Sequence, residues 1–345
     1  MRQRKKRGAV DTHFNWIYIL CVAAVFLFLF SKIIMNQRDI YEYRTNAMLT
    51  SNIRTIITLS QTPTATSSIK VLPASFEFSC TGYKTSKNAQ AIRLDSRSTF
   101  SPSSLTSASQ KYIFVTKEFD YPFLVDSFIY ITSRDYLYVF INPDPAYKNI
   151  MLMLNSTIPS DVLRVNISRG DICGLNDRNN KFRFIFINEV PGAITDACIN
   201  KEASSLKIIP GTQQDTGNVS FCNKAGICQP NSPYIDKASL IGAIFADKNV
   251  TYECNLFKAV ERMEYIARIY SYRAERLSEY YAQPTILNHD CKEVFDNAKN
   301  QFDELINNAA DLRTTGTYNN ILYKTKEKLA EYQDQALSSS CATIY

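Results

Sequence analysis

The longest apolar run lies near the start of the chain. Residues 12–31 carry no formal charge, and residues 16–30 are almost all Ile, Leu, Val, Ala, Phe and Cys. Twenty helical residues span about 30 Å, which is the thickness of a hydrocarbon core. A cleaved signal peptide would have a shorter apolar stretch and a small-residue cleavage site, and a buried core helix would not need a basic cluster beside it. The pattern therefore predicts a basic leader over residues 1–13 and a transmembrane helix over residues 14–35.

The apolar pattern continues beyond the span. From Ile40 to Leu59 apolar residues recur at roughly helical spacing. Pro63 and a Thr/Ser-rich stretch over residues 62–68 then interrupt the pattern. We expect the membrane helix to continue as a helical stalk over residues 36–62.

Short runs with β character fill residues 63–250. They are rich in Phe, Tyr, Ile and Val, and several alternate in polarity, as in Phe182–Phe186. Ser-rich, Pro-containing and Asn-rich segments separate them at residues 96–109, 142–145 and 176–180. This region is expected to be a β-rich extracytoplasmic domain, with some helix between Ala193 and Ala246. The predicted strands are Ser75–Cys80, Lys111–Phe119, Phe123–Thr132, Tyr136–Asn142, Asn149–Leu154, Val162–Ile167 and Phe182–Val190.

The last ninety residues change to a helical pattern. Apolar residues step by four and three along Leu256–Tyr281, Cys291–Leu312 and Tyr318–Ala336, with breaks near Pro284 and Gly316. Three such seams predict an antiparallel three-helix bundle over residues 251–345. The chain as a whole is expected to be α+β, with an N-terminal transmembrane helix and stalk, a disulfide-braced β-rich ectodomain and this C-terminal bundle.

Charge is concentrated before the apolar run. The chain carries a net charge of +6, but six of its 39 Lys and Arg and only one of its 33 acids lie in residues 1–35, so the remainder is nearly neutral. A nearly neutral ectodomain gives no support to a nucleic-acid partner. The basic leader places the N-terminus in the cytoplasm by the positive-inside rule, so the bulk of the chain is expected outside the cell membrane and residues 14–35 in contact with lipid.

The cysteines agree with an oxidising location. Cys21 lies inside the span, and the even set of eight beyond it can form four disulfides. A metal site is the alternative, but no Cys-x-x-Cys pair occurs and His289 is the only histidine in the region that follows the span. We therefore predict no metal and no cofactor.

Disulfide pairing follows in part from the bundle. Antiparallel helices bring Cys291 and Cys341 to one end, whereas Cys254 opens the first helix about 40 Å away and should pair with the β-rich domain. Cys222 and Cys228 are close in sequence and could close a small loop. Among the other cysteines we favour two pairs, Cys173–Cys198 and Cys80–Cys254.

Four N-glycosylation sequons lie on the predicted outer side. Such triplets also arise by chance, so they are compatible with a glycoprotein without demonstrating one. The candidate acceptors are Asn155, Asn166, Asn218 and Asn249.

Catalytic signatures are missing from the sequence. It has no Gly-rich phosphate loop, no Gly-x-Ser-x-Gly elbow and no His-Glu-x-x-His motif. His289 follows Asn288 at a predicted helix start, where a capping and solvated role is the simpler interpretation. Carboxylate pairs could serve a glycosidase, but pairs are expected by chance among 32 outer acids. No catalytic residues are assigned, and the protein is not expected to be an enzyme. The pairs considered are Asp120 with Asp126 and Asp144 with Asp161.

The basic leader ends in Lys5-Lys6-Arg7-Gly8-Ala9-Val10 ahead of the apolar helix. This start resembles the class III signals of archaeal type IV pilins. The resemblance implies cleavage between Gly8 and Ala9 and packing of the apolar helix into a filament core. Asp11 and His13 depart from the apolar character expected just after the cut, and the match covers less than a fifth of the chain.

A second resemblance spans more of the chain. The basic leader with its anchor, the helix start at Cys254-Asn255-Leu256 and the terminal Ser340–Tyr345 segment resemble uncharacterised single-pass surface proteins of small-genome archaea. That group implies a cell-surface location and no particular activity.

These patterns favour a membrane-anchored extracytoplasmic protein with a structural or adhesive role. Its 21 Tyr and 20 Phe could present a surface to a protein or glycan partner, unless Phe fills the core and Tyr lies half-buried on the sheets. The first alternative is a large minor type IV pilin-like subunit that assembles into a filament through its first helix. The second is an envelope hydrolase that uses carboxylates.

Overall fold

The fold is described from a computed structural model of the full chain. Residue contacts divide the chain into two units, one up to Thr55 and one of residues 56–345. The structure describes residues 8–59, 67–71, 75–85, 92–94, 98–106, 111–175, 181–195, 198–199, 202–213, 215–284, 286, 288–317 and 320–345. The basic residues before Gly8 and the Asn-rich segment 176–180 lie outside the described residues.

The first helix begins in the first unit, and the second unit contains strands followed mainly by helices. The helices are α1 (Gly8–Leu59), α2 (Lys148–Thr157), α3 (Lys237–Phe245), α4 (Asn249–Tyr281), α5 (His289–Thr315) and α6 (Asn320–Ser338). The strands are β1 (Ser67–Val71), β2 (Phe76–Ser79), β3 (Gly82–Lys84), β4 (Ile92–Arg93), β5 (Thr99–Phe100), β6 (Ser104–Leu105), β7 (Lys111–Asp120), β8 (Leu124–Ser133), β9 (Tyr136–Ile141), β10 (Arg164–Ile167), β11 (Lys181–Ile187), β12 (Ala203–Pro210), β13 (Gly217–Cys222) and β14 (Ser232–Tyr234). The protein is therefore mixed α+β with an N-terminal apolar helix.

Helix α1 runs without a break from Gly8 to Leu59. Within it, Tyr18–Gln37 is long and apolar enough to cross a membrane. The described side chains of that segment are exposed, apart from the half-buried Val22. The apolar segment and the residues after it thus belong to one helix.

Two long strands organise the first sheet, whose order is β1-β7-β8-β5. β7 and β8 form an antiparallel pair, β1 adds to β7 antiparallel, and β5 adds to β8 parallel. The Ser-rich segment 96–109 was expected only to separate strands, but it contributes β5 and β6. Pairing with β8 and β2 stabilises these two-residue strands, which their local sequence would not form alone.

The second sheet is mixed, with the order β10-β9-β11-β12-β13-β14. Its first four strands are parallel, and β13 and β14 complete it antiparallel. β11 is buried on both faces, as is usual for a parallel strand. A third sheet, β4-β3-β2-β6, is small and antiparallel.

The predicted strand Asn149–Leu154 is wrong, because these residues form most of α2. Ile150 and Leu154 are the buried residues of α2, and their i, i+4 spacing places them on one helix face. Just before α2, Asp144 caps a short 3-10 helix by accepting a hydrogen bond from the Ala146 N–H. A short apolar run has the same composition in a buried strand as in a buried helix, so periodicity alone does not separate them.

Arg183 holds α3 against the second sheet. It projects from β11, is almost fully buried, and donates hydrogen bonds to the carbonyls of Ala243 and Ala246 at the C-terminal end of α3. Its guanidinium also lies over the Phe221 ring at 5.1 Å. Burial lowers the pKa of Arg183 to about 10, while the carbonyl acceptors satisfy a charge that would otherwise be costly to bury.

The C-terminal helices are buried along the positions that the seams predicted. All seven seam residues of α5 are buried, and so are Leu322 and Leu329 of α6. α5 packs along α4, α6 packs against α5, and the first part of α4 packs against β5 and β8. α4 therefore belongs to the core of the second unit as well as to the helical region.

Several tyrosines lie in the core beside phenylalanines, so Tyr is not confined to the half-buried position considered from composition. Two of the buried hydroxyls have carbonyl partners: Tyr130 donates to the Ala238 carbonyl at 2.8 Å and Tyr252 to the Pro233 carbonyl at 2.8 Å. Such partners allow a phenol to replace a Phe ring in a core. The fully buried tyrosines among the described residues include Tyr83, Tyr112, Tyr121, Tyr130, Tyr138, Tyr234 and Tyr252.

Candidate interaction surface

The start of α4 is fixed to the sheets by several kinds of contact. The Asn255 side chain accepts a hydrogen bond from the Thr99 N–H at 3.2 Å and donates to the Thr251 carbonyl at 2.9 Å. One residue earlier, Cys254 forms a disulfide with Cys80. These contacts set the rotation of α4 and so decide which of its residues face outward.

Polar contacts also fix α4 to α5. Ser271 donates to Asp303 at 2.7 Å, and Ser278 donates to Asp296 at 2.6 Å. Seam packing between the same helices is apolar, so the polar contacts add directional restraint to a close-packed interface. The exposed face of α4 therefore stands on a helix that is restrained along its length.

The outer face of α4 carries a stripe of large exposed side chains. Tyr265, Ile269 and Tyr272 are 60%, 65% and 56% exposed and step by four and three, so they lie on one face of the helix. Four arginines, Arg262, Arg268, Arg273 and Arg276, alternate with them. We call these seven residues the α4 face.

The carboxylates that pair with two of these arginines lie beneath them. Arg268 is 59% exposed and its partner Glu264 is 9% exposed, with 2.7 Å between guanidinium and carboxylate. Arg262 is 45% exposed and lies 3.4 Å from Asp126, which is 3% exposed. The acceptors therefore point inward, and the face presents mainly N–H donors to solvent.

Arg276 is organised differently, because its neighbours lie on the surface. It pairs with Glu279 at 2.7 Å, and its guanidinium lies 4.9 Å from the centre of the Tyr272 ring, an arrangement that favours a cation–π interaction. Arg273 donates to the Thr343 carbonyl at 3.0 Å. These contacts order long side chains before any partner arrives, which lowers the entropy cost of binding.

A groove of about 450 Å³ adjoins the α4 face on the side of α5. Its charged groups are balanced, since Lys299 lies 3.2 Å from Asp303 across its lining. The hydrogen bond and charge of Asp303 raise the pKa of Lys299. The groove is lined by Arg268, Ser271, Tyr272, Glu275, Lys299, Asp303, Ile306 and Asn307.

Aromatic rings anchor the last residues of the chain beside α4. Tyr345 lies 5.8 Å from Tyr270 and 6.0 Å from Phe123, ring centre to ring centre, and Ile344 is fully buried. Burial is the main cause that raises the pKa of the Tyr345 phenol to about 12. This segment joins the turn before β8 to the helices.

A second group of polar residues lies where the parallel strands β9 and β11 end. Ligands of open α/β sheets often bind at such carboxyl ends. Asn188 adopts a left-handed conformation, with φ of 56°, and donates to the Tyr147 hydroxyl at 2.8 Å. Asn188 and the capping Asp144 already make local hydrogen bonds, so they are less available to a ligand. This edge of the sheet is therefore a weaker candidate for a binding site than the α4 face.

The structure joins the eight cysteines that follow α1 in four disulfides, the same four pairs that the sequence favours. Cys21 is free and exposed within the apolar segment of α1. Among the described residues, no group of three or more His, Cys, Asp and Glu side chains could hold a metal ion. The four pairs are Cys80–Cys254, Cys173–Cys198, Cys222–Cys228 and Cys291–Cys341.

The four sequons differ in accessibility. Asn166 is exposed, while Asn155 and Asn218 are half-buried. Asn249 is buried and accepts a hydrogen bond from the Ser232 hydroxyl. A glycan on Asn249 would have to displace this buried contact, so the folded structure fits modification at Asn166 best.

Of the residues considered for catalysis, Asp126 and Asp144 have structural partners. Asn288 caps α5 by accepting from the Cys291 N–H at 3.1 Å, and His289 beside it is exposed. Asp126 is buried against Arg262. Asp120 at the end of β7 is exposed as a residue, although partial desolvation of its carboxyl raises its pKa. Asp161 is half-buried and exposed Asp144 serves as a cap.

A half-buried carboxyl, that of Asp236, lies at the start of α3. Asp236 caps α3 and accepts from the Ser239 N–H at 2.7 Å, and desolvation raises its pKa. Desolvation also lowers the pKa of Lys117, whose charge interacts with Asp236. Capping accounts for this carboxyl, because the Ser239 hydroxyl returns a contact to the Asp236 backbone as a capping box does.

The α4 face was missed from the sequence, although its signal is present there. Tyr265, Ile269 and Tyr272 form a second series spaced by four and three, beside the seam that the apolar pattern identifies. Two such series on one helix predict either a helix that is buried on two sides or a helix with an exposed apolar face that can bind a partner.

No family model matches the chain, and no match was found among curated proteins or among solved structures.

Proposed function

We propose that this protein is a membrane-anchored, extracytoplasmic structural or adhesion protein that presents a rigid surface to a partner. The apolar segment of α1 is the anchor, with the N-terminus in the cytoplasm and residues 56–345 outside. The disulfide-braced second unit is the scaffold, with α4, α5 and α6 arranged as an antiparallel bundle. Glycosylation at Asn166 accords with this location.

The single observation that carries the proposal is the α4 face on its braced helix. Tyr and Arg are the residues most enriched at the energetic centres of protein interfaces. Most exposed apolar residues of soluble domains stand alone, whereas here Tyr265, Ile269 and Tyr272 are adjacent and restrained. A restrained helix that exposes such a stripe is suited to binding.

Four disulfides support the outer location. Stable disulfides form in oxidising compartments and are rare in reducing ones. The basic residues before the span favour the same orientation.

Thiol labelling on intact cells tests the location. A membrane-impermeant maleimide should label none of the eight outer cysteines before reduction and all eight after a membrane-impermeant reductant, with Cys21 unlabelled throughout. Labelling of these cysteines in untreated, permeabilised cells would show free thiols and contradict the outer location. Removal of residues 56–345 tests the binding role. With the apolar segment of α1 still in the membrane, we expect cells to lose attachment or a surface complex.

A pilin-like subunit is the second candidate, and the unbroken α1 is the observation that favours it. Its 52 residues would extend about 78 Å, long enough to leave the membrane and pack along a filament. The N-terminal sequence of protein from its native membrane separates the two candidates. A start at Ala9 together with filaments favours the pilin-like role, and a start at Met1 or Arg2 favours a plain signal anchor.

A further inference from the structure

We infer that the α4 face binds an acidic polypeptide segment of a different protein, one that places apolar side chains between its carboxylates. This inference rests on the proposed function and adds the site and the class of partner.

The first step is the interleaving of residue types. Ile269 lies at the centre of the face with Tyr265 and Tyr272 beside it, and the arginines lie between and around them. A partner must cover exposed apolar surface and satisfy guanidinium groups within one helix width. A polypeptide with alternating apolar and acidic side chains meets both demands.

The second step is the direction of the charges. Glu264 and Asp126 are buried below Arg268 and Arg262, so a docking partner would meet donors before acceptors. Exposed guanidinium groups recognise carboxylates through paired N–H donors, which gives both strength and geometry. A basic segment would meet the exposed carboxylates of Glu279 and Glu261, but both already have partners, since Arg276 pairs with Glu279 and Arg313 pairs with Glu261.

The third step excludes a second copy of the chain. If two α4 faces packed antiparallel about Ile269, Arg262 of each copy would lie opposite Arg276 of the other. In a parallel arrangement each arginine would face itself. Like charges held opposite each other oppose association, so the surface favours a partner with different charges.

The fourth step separates a polypeptide from a membrane surface. A helix that lies in a bilayer interface keeps its cations on one face and its apolar residues on the other. Here insertion of Ile269 would bury Arg268, Arg273 and Tyr272 with it. The mixed face suits a protein interface, in which carboxylates can reach each guanidinium.

Site-specific photo-crosslinking tests the inference with the full chain in its native membrane. The photoreactive residue p-benzoylphenylalanine replaces Ile269. Control positions carry the same probe at other exposed apolar residues: Val250 in the first turn of α4, and Val190 and Ile227 on loops of the second sheet. Crosslinked peptides are identified by mass spectrometry. We expect position 269 to crosslink to one polypeptide segment that carries several Asp or Glu residues and a net negative charge.

A charge reversal tests whether the arginines select the partner. With the probe at position 269, Arg276→Glu is expected to lower the crosslink yield about tenfold, and higher salt should lower the wild-type yield. Lys328→Glu on α6 is the matched control, because it makes the same change in net charge at another exposed position and should leave the yield unchanged.

The outcomes separate this inference from the proposed function. Crosslinks from Val250, Val190 or Ile227 without one from position 269 would overturn the α4 face and leave the binding role standing. Crosslinks from position 269 to lipid, glycan, a basic segment or a second copy would overturn the acidic polypeptide. If no position crosslinks to anything, both the inference and the proposed binding role fail.

Discussion

Replacing Phe302 by alanine should unfold the second unit as a whole at a lower temperature. Phe302 is fully buried in α5, and its ring centre lies 5.8 Å from that of Tyr270 in α4, 6.3 Å from Phe123 and 6.4 Å from Tyr345. Truncation of a buried Phe costs about 3–5 kcal/mol through lost burial and the cavity that remains. Because the ring joins α4, α5, the turn before β8 and the last residues, we expect a loss of about 4 kcal/mol.

The size of the unit converts this loss into a temperature shift. An unfolding entropy of about 2.1 cal/mol/K per residue gives about 0.6 kcal/mol/K for residues 56–345, so the midpoint should fall by about 7 °C. Thermal unfolding of the full chain in detergent, followed by near-UV circular dichroism under oxidising conditions, measures it. Ile269→Ala is the control, since Ile269 is exposed on the neighbouring helix and should change stability by less than about 0.5 kcal/mol.

Two results would refute this reasoning. A shift no larger than that of Ile269→Ala would mean that the ring is not in a closely packed core. A second, separate transition in Phe302→Ala would mean that the helices unfold independently of the sheets, contrary to a single compact unit.

Three further predictions concern disulfides, charge and packing. Replacing both cysteines of Cys80–Cys254 by serine should lower the free energy of unfolding by about 5 kcal/mol, because this disulfide closes a loop with a sequence separation of 174. The same change at Cys222–Cys228, with a separation of 6, should lower it by only about 2 kcal/mol. Equal losses in urea unfolding would argue against loop entropy as the cause. Burial raises the pKa of Asp236 in the folded state above its value of about 3.9 in the unfolded state. The stability that this group contributes is therefore fully present below about pH 3.9 and is lost as pH rises through the folded-state pKa. Asp236→Asn keeps a cap and should remove that decline in urea unfolding measured at increasing pH from about pH 3. An unchanged pH profile would mean that other groups cause the decline. Gly242→Ala should lower the stability of the second unit, because the added Cβ would lie 2.8 Å from the Phe100 ring. This clash is expected to outweigh the gain of about 1 kcal/mol in helix propensity. A raised melting temperature would contradict the packing.

Local patterns in the sequence predict much of the helical structure. The seam of α5 needs only the spacing of its apolar residues, and Asn288 at its start is a capping residue by type. Gly316 ends α5 in the left-handed conformation, with φ of 65°, that glycine adopts without steric cost. These features depend on contacts within a few residues, so they can be inferred from one segment at a time.

Long-range pairing could not be inferred in the same way. β5 and β6 are two residues long and exist because β8 and β2 lie beside them. The apolar run at Asn149–Leu154 has no local feature that separates strand from helix, and only packing of Ile150 and Leu154 on one face decides for the helix. Short elements take their conformation from neighbours that are distant in sequence.

The α4 face also depends partly on local spacing and partly on long-range contacts. The sequence places Tyr265, Ile269 and Tyr272 on one side of a helix, because their spacing matches the helical period. It cannot say whether another element covers that side. Contacts of Asn255 and Cys254 set the rotation of α4, and with that rotation the second apolar series faces solvent.

The sequence by itself therefore determined the apolar segment of α1, the even set of cysteines after it and the periodic seams of the C-terminal helices, since each follows from composition or local spacing. Only the tertiary structure decided that Arg183 is buried at the end of α3, that Tyr130 and Tyr252 belong to the core, and that the α4 face remains uncovered. The physical reason is that burial depends on which segments meet in space. A residue's spacing along the chain fixes its side of a helix or strand, but only the arrival of a distant partner determines whether that side is core or surface.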